Sequence, residues 1–265
     1  MNINEIARLA GVSRATVSRY LNNGYVSSEK KAVIRRVIEE TGYQPSSQAQ
    51  TLRTKKTSLI GVILPKINSD TISREVEGIS DILTRRGYQL ILASTNNDVE
   101  EELKYLSLFK ERQVDGVVFI ATMFTRKHKQ MLKDYKVPIV LLGQHLDGYP
   151  CIYQDDYKAA FQVTEKLAEK GSKFAYIGVT DTMAVGAMTY LKEIGLRIPE
   201  DVQIAGIGDG VPGKIVEPKL TTMHFYYKTS GMEAAAMLAD LIENDTGISK
   251  EIKMGCELVE RESHR

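Results

Sequence analysis

The spacing of apolar residues divides this chain into two parts. Near the amino terminus they recur three to four positions apart, and from residue 59 onward short apolar runs alternate with amphipathic stretches. The first pattern is typical of helices, and the second is typical of strands alternating with helices. We therefore predict a small helical domain over residues 1–45, a connecting segment over 46–58 and a larger α/β core over 59–265.

Two short helices are predicted first. The apolar positions of the first helix are Ile3, Ile6, Ala7 and Ala10. Gly11 ends it, because glycine adopts turn conformations that other residues resist. Ser13 can cap a second helix over 14–21, which buries Val17 and Leu21. The opposite side of that helix presents Arg14, Ala15, Ser18 and Arg19. Two helices joined by a glycine turn form a helix-turn-helix.

A third helix is predicted over residues 28–41. Its apolar stripe consists of Val33, Ile34, Val37 and Ile38. Gly42 stands where a left-handed residue commonly ends a helix.

The core pattern predicts strands and helices in alternation. Strands are expected at Leu59–Leu64, Tyr88–Ala93, Gly116–Ile120, Val137–Leu142, Cys151–Tyr153, Phe174–Val179, Val202–Ile207 and Ile252–Val259. Helices are expected at Ile72–Arg86, Glu100–Arg112, Tyr157–Lys170, Thr182–Ile194 and Lys228–Glu243. This alternation implies parallel sheets with right-handed crossovers.

Charge is distributed unevenly along the chain, although the net charge is only +1. Residues 1–58 hold ten basic and four acidic residues, a net charge of +6, and the rest holds 25 basic and 30 acidic residues, a net charge of −5. A basic module on an acidic body is typical of a protein that binds a polyanion through the module alone. On charge alone, an ordinary solvated basic face explains the pattern equally well.

Several classes of protein find no support in the sequence. It contains no apolar run of the length that a membrane helix needs, and its first residues lack the pattern of a secretory signal. Cys151 and Cys256 have no metal-ligand spacing, and we interpret them as reduced, incidental thiols. No His-x-x-x-His, Gly-x-Ser-x-Gly or phosphate-loop motif occurs. We therefore predict a cytoplasmic protein with no catalytic site, metal or cofactor.

Motifs in several places resemble the lactose/galactose-repressor family. The main one is the run from Ile6 to Asn22, IARLAGVSRATVSRYLN. Others are Gly42-Tyr43-Gln44-Pro45, Ala49-Gln50-Thr51-Leu52, Leu59-Ile60-Gly61-Val62 and Leu258–Ser263. The resemblance implies an all-α helix-turn-helix head and an α/β core with the periplasmic-binding-protein-like fold, in which two parallel-sheet subdomains enclose a sugar-sized cleft. It also implies a homodimer that binds double-stranded operator DNA.

The resemblance assigns roles to the exposed face of the second helix. That helix enters the major groove, with Arg14, Ala15 and Arg19 in base-reading positions. An arginine can bind guanine O6 and N7 through two hydrogen bonds, whereas Ala15 offers only a methyl group. The implied phosphate contacts are Ser13, Ser18, Asn22, Tyr25, Ser27 and Lys30. Ser13 and Ser27 could instead be helix caps, or serve both purposes.

The connecting segment 46–58 has almost no apolar side chains, so it buries too little surface to order itself. In the resembled family it becomes a helix only in the minor groove, beside its twin in the dimer. The residues implied there are Ala49, Gln50, Leu52 and Arg53. Leu52 resembles an apolar wedge that kinks a base step, whereas Gln50 stands where family members often have a basic residue. A plain flexible linker is the alternative.

The core departs from the family pattern after the predicted strand at 174–179. The family places about two more βα units between this strand and the helix near Asp181, whereas here the two are joined directly. About 50–60 residues are therefore missing, at the usual length of such units. We expect a shortened second subdomain that leaves Met183, Val185 and Met188 less covered. The missing part normally carries an arginine that grips the effector.

Few effector-binding candidates remain in the cleft. The loop Gly206–Gly210 could suggest a nucleotide loop, but it is short and leads into Pro212, so we interpret it as the strand-end loop beside the effector. That loop usually offers two acids, and here it has Gly208 and Asp209. The remaining candidates are Asp70, Gln144, Asp181 and Tyr227, an aromatic that could stack on a sugar ring. Asp181 could instead only cap its helix, and Tyr227 could only pack.

Two functions remain open at this point. One is a repressor of a carbohydrate-utilisation operon that a small sugar effector releases from DNA. The other is a DNA-binding repressor that has lost its effector response with the missing segment. A sugar-binding protein without a DNA function is disfavoured, because the helix-turn-helix is intact.

Overall fold

The computed structural model describes residues 1–22, 24–43, 56–111, 114–168, 175–244 and 248–264. The chain divides into two compact units, residues 1–57 and 58–265. Most of the proposed connecting segment 46–58 lies outside the described residues, so its separate status stays a prediction. None of the described helices is long and apolar enough to cross a membrane.

The described part of the first unit is helical. Its helices are α1 (Ile3–Leu9), α2 (Arg14–Leu21) and α3 (Ser28–Thr41). Gly11 and Gly42 have φ angles of 63° and 61°, as the predicted turn and helix end require. The predicted helix-turn-helix is therefore confirmed in its elements.

One small apolar core holds these helices together. Ile6, Val17 and Ile34 are fully buried, one from each helix. The predicted stripe of α3 is wrong at Val33, which is 37% exposed. Ile34 shares its helix face with both Val37 and Ile38, three and four residues on, whereas Val33 shares a face only with Val37 and lies on the flank.

Among its described residues, the second unit contains two sheets. The first has six parallel strands, which from one edge to the other are β2 (Gln89–Ser94), β1 (Leu59–Leu64), β3 (Gly116–Ile120), β4 (Ile139–Leu142), β5 (Cys151–Gln154) and β9 (Glu251–Met254). The helices between the first four strands are α4 (Asp70–Arg85), α5 (Val99–Glu111) and α6 (Arg126–Lys133). Strands β1, β3 and β4 are buried almost throughout, as parallel strands covered on both faces must be.

The second sheet has four strands among the described residues. In spatial order they are β10 (Cys256–Val259), β8 (Thr221–Phe225), β7 (Gln203–Ile207) and β6 (Ala175–Ile177). The remaining helices are α7 (Asp156–Ala168), α8 (Asp181–Glu193), α9 (Val211–Ile215) and α10 (Tyr227–Asn244). Strand β10 runs antiparallel to β8, so the expectation of purely parallel sheets is wrong for it. The single strand predicted at 252–259 is also wrong, because Gly255 separates β9 and β10, which join different sheets.

Helices α4 and α10 cross at a pair of glycines. A Cβ atom on Gly78 would lie 2.0 Å from the carbonyl oxygen of Lys228, and one on Gly231 would lie 2.1 Å from that of Glu75. Helix α10 follows β8 of the second sheet, yet its Leu238 is buried in the core of the first. Both helices therefore pack on the first sheet, although the chain enters α10 from the second sheet.

Strand β6 forms an edge of the four-stranded sheet. It has only three residues, and Tyr176 in it is 39% exposed. In the helix that follows, Met183 is 52% exposed, as expected for a shortened subdomain. The expectation is wrong for Met188, which is fully buried, because it packs with Ile204 of β7.

Candidate functional site

Helix α2 is anchored on one side and open on the other. The Ser13 hydroxyl caps it by accepting a hydrogen bond from the Thr16 N–H at 3.2 Å. Val17 is fully buried, and Ala7 of α1 is only 6% exposed. The small side chain of Ala7 thus leaves room for α1 and α2 to pack through this face.

The three proposed base-reading residues share the open side of α2. Arg14, Ala15 and Arg19 are all exposed. An exposed guanidinium can present two parallel N–H donors to the O6 and N7 acceptors of a guanine. The helix therefore presents two guanidinium groups and the methyl group of Ala15 to solvent. The buried Val17 holds the opposite side of the helix to the core of the head.

The proposed phosphate contacts lie on α2 and its two caps, in the loop that follows and at the start of α3. Ser13, Asn22, Tyr25, Ser27 and Lys30 are exposed, and Ser18 is half-buried. Tyr25 is 91% exposed, so its ring contributes little to the core of the head. Ser27 stands at the N-cap of α3, but its side chain makes no capping hydrogen bond. The alternative role as a helix cap is therefore right for Ser13 and wrong for Ser27.

The proposed minor-groove residues are not among those that the structure describes. They are Ala49, Gln50, Leu52 and Arg53. Their roles stay predictions.

The proposed effector residues follow the carboxyl ends of strands in the two sheets. Asp70 begins α4 after β1, and Gln144 lies exposed in the loop after β4. Asp181 begins α8 after β6, and Tyr227 begins α10 after β8. The carboxyl ends of parallel strands are where α/β folds place their ligands.

Three of these residues meet around the loop after β7. A Cβ atom on Gly210 would lie 3.7 Å from Oδ2 of Asp70 and 3.6 Å from Oδ2 of Asp181. Arg74 forms an ion pair with Asp70 and donates to the carbonyl oxygen of Gly208 at 3.0 Å. Its guanidinium carbon lies 5.4 Å from the centre of the Tyr227 ring. Asp70, Asp181 and Tyr227 are thus connected through Arg74 and this loop.

Asp181 is committed to contacts within the protein. Its two carboxylate oxygens accept hydrogen bonds from the Thr222 hydroxyl at 2.6 Å and from the Gly210 N–H at 2.5 Å. Burial raises the pKa of Asp181, against the lowering effect of these two hydrogen bonds. The helix cap is Thr180, whose side chain accepts from the Met183 N–H, so the alternative that Asp181 caps α8 is wrong.

Tyr227 is half-buried, and burial raises the pKa of its hydroxyl to about 12. The ring therefore stays neutral at physiological pH. It presents an apolar face to the guanidinium of Arg74, which is a favourable cation–π arrangement.

Comparison with known proteins identifies the family. The profile of bacterial regulatory proteins of the lacI family matches residues 2–46, and that of a periplasmic binding protein-like domain matches residues 110–264. A sucrose operon repressor of Staphylococcus xylosus is 34% identical over 239 residues, which cover 89% of this chain and 70% of that protein. This chain belongs to the lacI family of bacterial regulatory proteins. It is a DNA-binding transcription regulator.

Other lacI-family proteins match along nearly their whole length. The transcriptional regulator RegA of Clostridium saccharobutylicum is 27% identical over 327 residues, covering 99% of this chain and 98% of that protein. The crystal structure of the lac repressor dimer bound to operator and the anti-inducer ONPF has a TM-score of 0.89 at 19% identity, covering 99% of this chain and 98% of that one. This likeness confirms the predicted fold, a helical head with a periplasmic-binding-protein-like α/β core.

Sequence reasoning about this lacI-family core missed two features of the cleft. Arg74 was not a candidate, although its place one turn after Asp70 could have indicated an ion pair at spacing i, i+4. Asp209 is held by Arg261 at 2.5 Å and by Lys214 and His224 at 3.1 Å each. Burial acts to raise the pKa of Asp209, but the hydrogen bonds from Arg261 and Lys214 outweigh it and lower the pKa. This second acid of the loop is therefore occupied within the protein.

Proposed function

We propose that this lacI-family regulator represses carbohydrate-utilisation genes in the cytoplasm by binding operator DNA as a homodimer, and that it catalyses no reaction. The observation that carries the proposal is the open side of α2, where Arg14, Ala15 and Arg19 are exposed above the buried Val17. The sucrose operon repressor among its relatives supports the choice of carbohydrate genes.

Substituting Arg19 tests the base-reading role. Arg19→Ala should weaken operator binding by about 1–3 kcal/mol and relax the preference at one base pair, because a bidentate contact is lost. Lys30→Ala is the matched control and should weaken binding to all DNA sequences about equally, since a phosphate contact carries no sequence information. Selection of bound sequences from a random pool would measure both. Equal losses of Arg19→Ala on operator and random DNA would contradict the assignment.

The dimer requirement has its own test. The net charge of +6 over residues 1–58 suits contacts to phosphates, and a symmetric dimer requires two half-sites related as a near-palindrome. We expect footprints of the full chain to cover two half-sites. Protection of one half-site alone, at undiminished affinity, would contradict a dimer on the operator.

We further propose that a small sugar is the effector and that Asp70, Gln144 and Tyr227 contribute to its site. Their positions at the carboxyl ends of the strands support this, as does the neutral, half-buried ring of Tyr227. Asp181 serves a positioning role in this proposal, because both its oxygens hold protein groups.

A second candidate is a repressor with a weakened effector response, owing to a missing segment in the core. The match to RegA spans 327 aligned positions, whereas this chain has 265 residues, so at least 62 positions face a gap in this chain. The exposed edge strand β6 is where two further βα units would lie in the proposed deletion. Arginine-mediated contacts from that segment would then be lost, at roughly 1.5–3 kcal/mol each.

Calorimetry of the full chain against a panel of sugars, together with operator release, separates the two candidates. Micromolar binding of one sugar that also releases the operator would establish the effector-controlled repressor. Tight operator binding that no sugar in the panel weakens would favour the second candidate, because an effector shifts an equilibrium only through its differential affinity.

A further inference from the structure

Three side chains of different chemistry meet at one edge of the six-stranded sheet. His145, Cys151 and Glu251 place a ring nitrogen, a thiol sulfur and a carboxylate oxygen within 4.8 Å of one another. They come from the loop after β4, the first residue of β5 and the first residue of β9. None of them belongs to the helix-turn-helix or to the proposed effector residues.

The backbone fixes these three positions. Cys151 and Glu251 are direct neighbours in the parallel register of β5 and β9, and the Cys151 N–H donates to the Lys250 carbonyl at 3.1 Å. Directly paired residues of adjacent strands point to the same face. The loop between β4 and β5 turns back at Gly148, which has a φ of 81°, and so returns His145 toward the start of β5.

The imidazole is oriented for binding. Its ring centre lies 5.0 Å from that of Tyr153, two residues further along β5 on the same face as Cys151. Nε2 lies 3.2 Å from Oε2 of Glu251 and 3.5 Å from Oδ1 of Asp147. Cys151 is fully buried, whereas His145 and Glu251 are partly exposed. The group is thus closed on the thiol side and open to an ion from solvent on the other.

We propose that Cys151, His145 and Glu251 bind one divalent transition-metal ion such as Zn²⁺, with a solvent molecule as the fourth ligand and with release of the Cys151 thiol proton to solvent. Zinc prefers four ligands of sulfur, nitrogen and oxygen in a tetrahedron, at about 2.0–2.3 Å from the metal. Nitrogen and oxygen ligands at about 2.0 Å from the ion are then about 3.3 Å apart, close to the observed 3.2 Å between His145 and Glu251.

The ion would attach β9 to the loop between β4 and β5. Strand β9 carries the chain from the edge of the first sheet directly into β10 of the second. Binding of zinc to the folded chain would therefore stabilise the first sheet at the point where the chain passes between sheets. Sequence spacing does not reveal the site, because Cys151 and Glu251 are about 100 residues apart along the chain.

Cobalt substitution of the tag-free, metal-stripped full chain tests the proposal. One Co²⁺ per chain should bind and give the near-ultraviolet charge-transfer band of a thiolate ligand, and Zn²⁺ should displace it and raise the unfolding temperature. Cys151→Ser should abolish the band and weaken Zn²⁺ binding by more than about 100-fold, since even outer-shell changes cost about 10–100-fold. Cys256→Ser changes the other cysteine of the chain and should leave the cobalt band and the Zn²⁺ affinity unchanged.

Two further variants keep the test decisive. His145→Ala changes a partly exposed residue, so it should remove the band while circular dichroism shows an intact fold. Asp147→Ala should weaken binding less than His145→Ala, because its exposed carboxylate lies near His145 but outside the three-residue cluster. A wild-type chain that binds no Zn²⁺ at micromolar concentration, or a cobalt band that survives in Cys151→Ser, would overturn the site.

Discussion

At the residue scale, an unusual side chain is the carboxyl group of Glu75. It lies at the crossing of α4 and α10, is 3% exposed, and its Oε2 has no hydrogen-bond partner among the described residues. Burial raises its pKa to about 8, above the ordinary value of 4.5. The folded chain therefore keeps a proton on Glu75 that the unfolded chain releases between about pH 4.5 and 8. The free energy of unfolding must fall as pH rises through this window.

Glu75→Gln should remove most of this pH dependence. We expect the wild-type chain to lose about 2–4 kcal/mol of stability between pH 5 and 8 that the variant keeps, since each unit of pKa shift corresponds to about 1.4 kcal/mol. Urea unfolding at several pH values measures the slope. Glu77→Gln is the control, because Glu77 is on the same helix but exposed and paired with Lys228, and its slope should match that of the wild type. A Glu75→Gln slope equal to the wild-type slope would contradict the assignment.

At the scale of elements, the crossing of α4 and α10 depends on Gly78 and Gly231, which have no side chain where the two backbones meet. A Cβ atom on Gly78 would overlap the backbone of Lys228, which cannot move aside as a flexible side chain could. We expect Gly78→Ala to destabilise the chain by about 1–3 kcal/mol through overpacking, as judged from urea unfolding. Gly186→Ala in α8 has open space around it and should be neutral or stabilising by up to about 1 kcal/mol. Equal effects of the two substitutions would mean that the helices can separate at little cost.

How far the sequence predicts an element depends on whether its signal is local. Helix α2 begins at Arg14 and ends at Leu21 as predicted, because its cap and its buried Val17 lie within nine residues. Strand β8 was missed, since Thr221, Thr222 and His224 give it a weakly apolar pattern despite its burial. The contact of Arg74 with Gly208 and the cluster of His145, Cys151 and Glu251 arise from pairing between distant segments. Spacing along the chain carries no record of such contacts.

At the scale of the whole molecule, the two sheets of the second unit differ in the size of their cores. Among the described residues, the first sheet packs in groups of 17 and 12 buried apolar residues, whereas the second packs in two groups of six. Apolar burial is the main favourable contribution to folding, so the second sheet is the weaker half. The proposed effector cleft lies between a well-supported sheet and a less well-supported one.

Hydrogen exchange should expose this difference between two matched strands. Strands β3 and β7 are both five residues long, parallel, flanked by a strand on each side and buried, so solvent access in the folded state cannot distinguish them. We expect the amides of β7 to exchange at least about tenfold faster than those of β3, because the smaller core lets the second sheet open at a lower free energy. Mass spectrometry of the full chain measures both strands in one experiment.

If β7 proved as well protected as β3, the second sheet would be as rigid as the first. A weakened effector response would then have to come from missing ligand contacts alone. The other outcome is that β7 exchanges faster and that a sugar or the operator slows this exchange. Ordering the second sheet would then be part of the free-energy cost of the effector response.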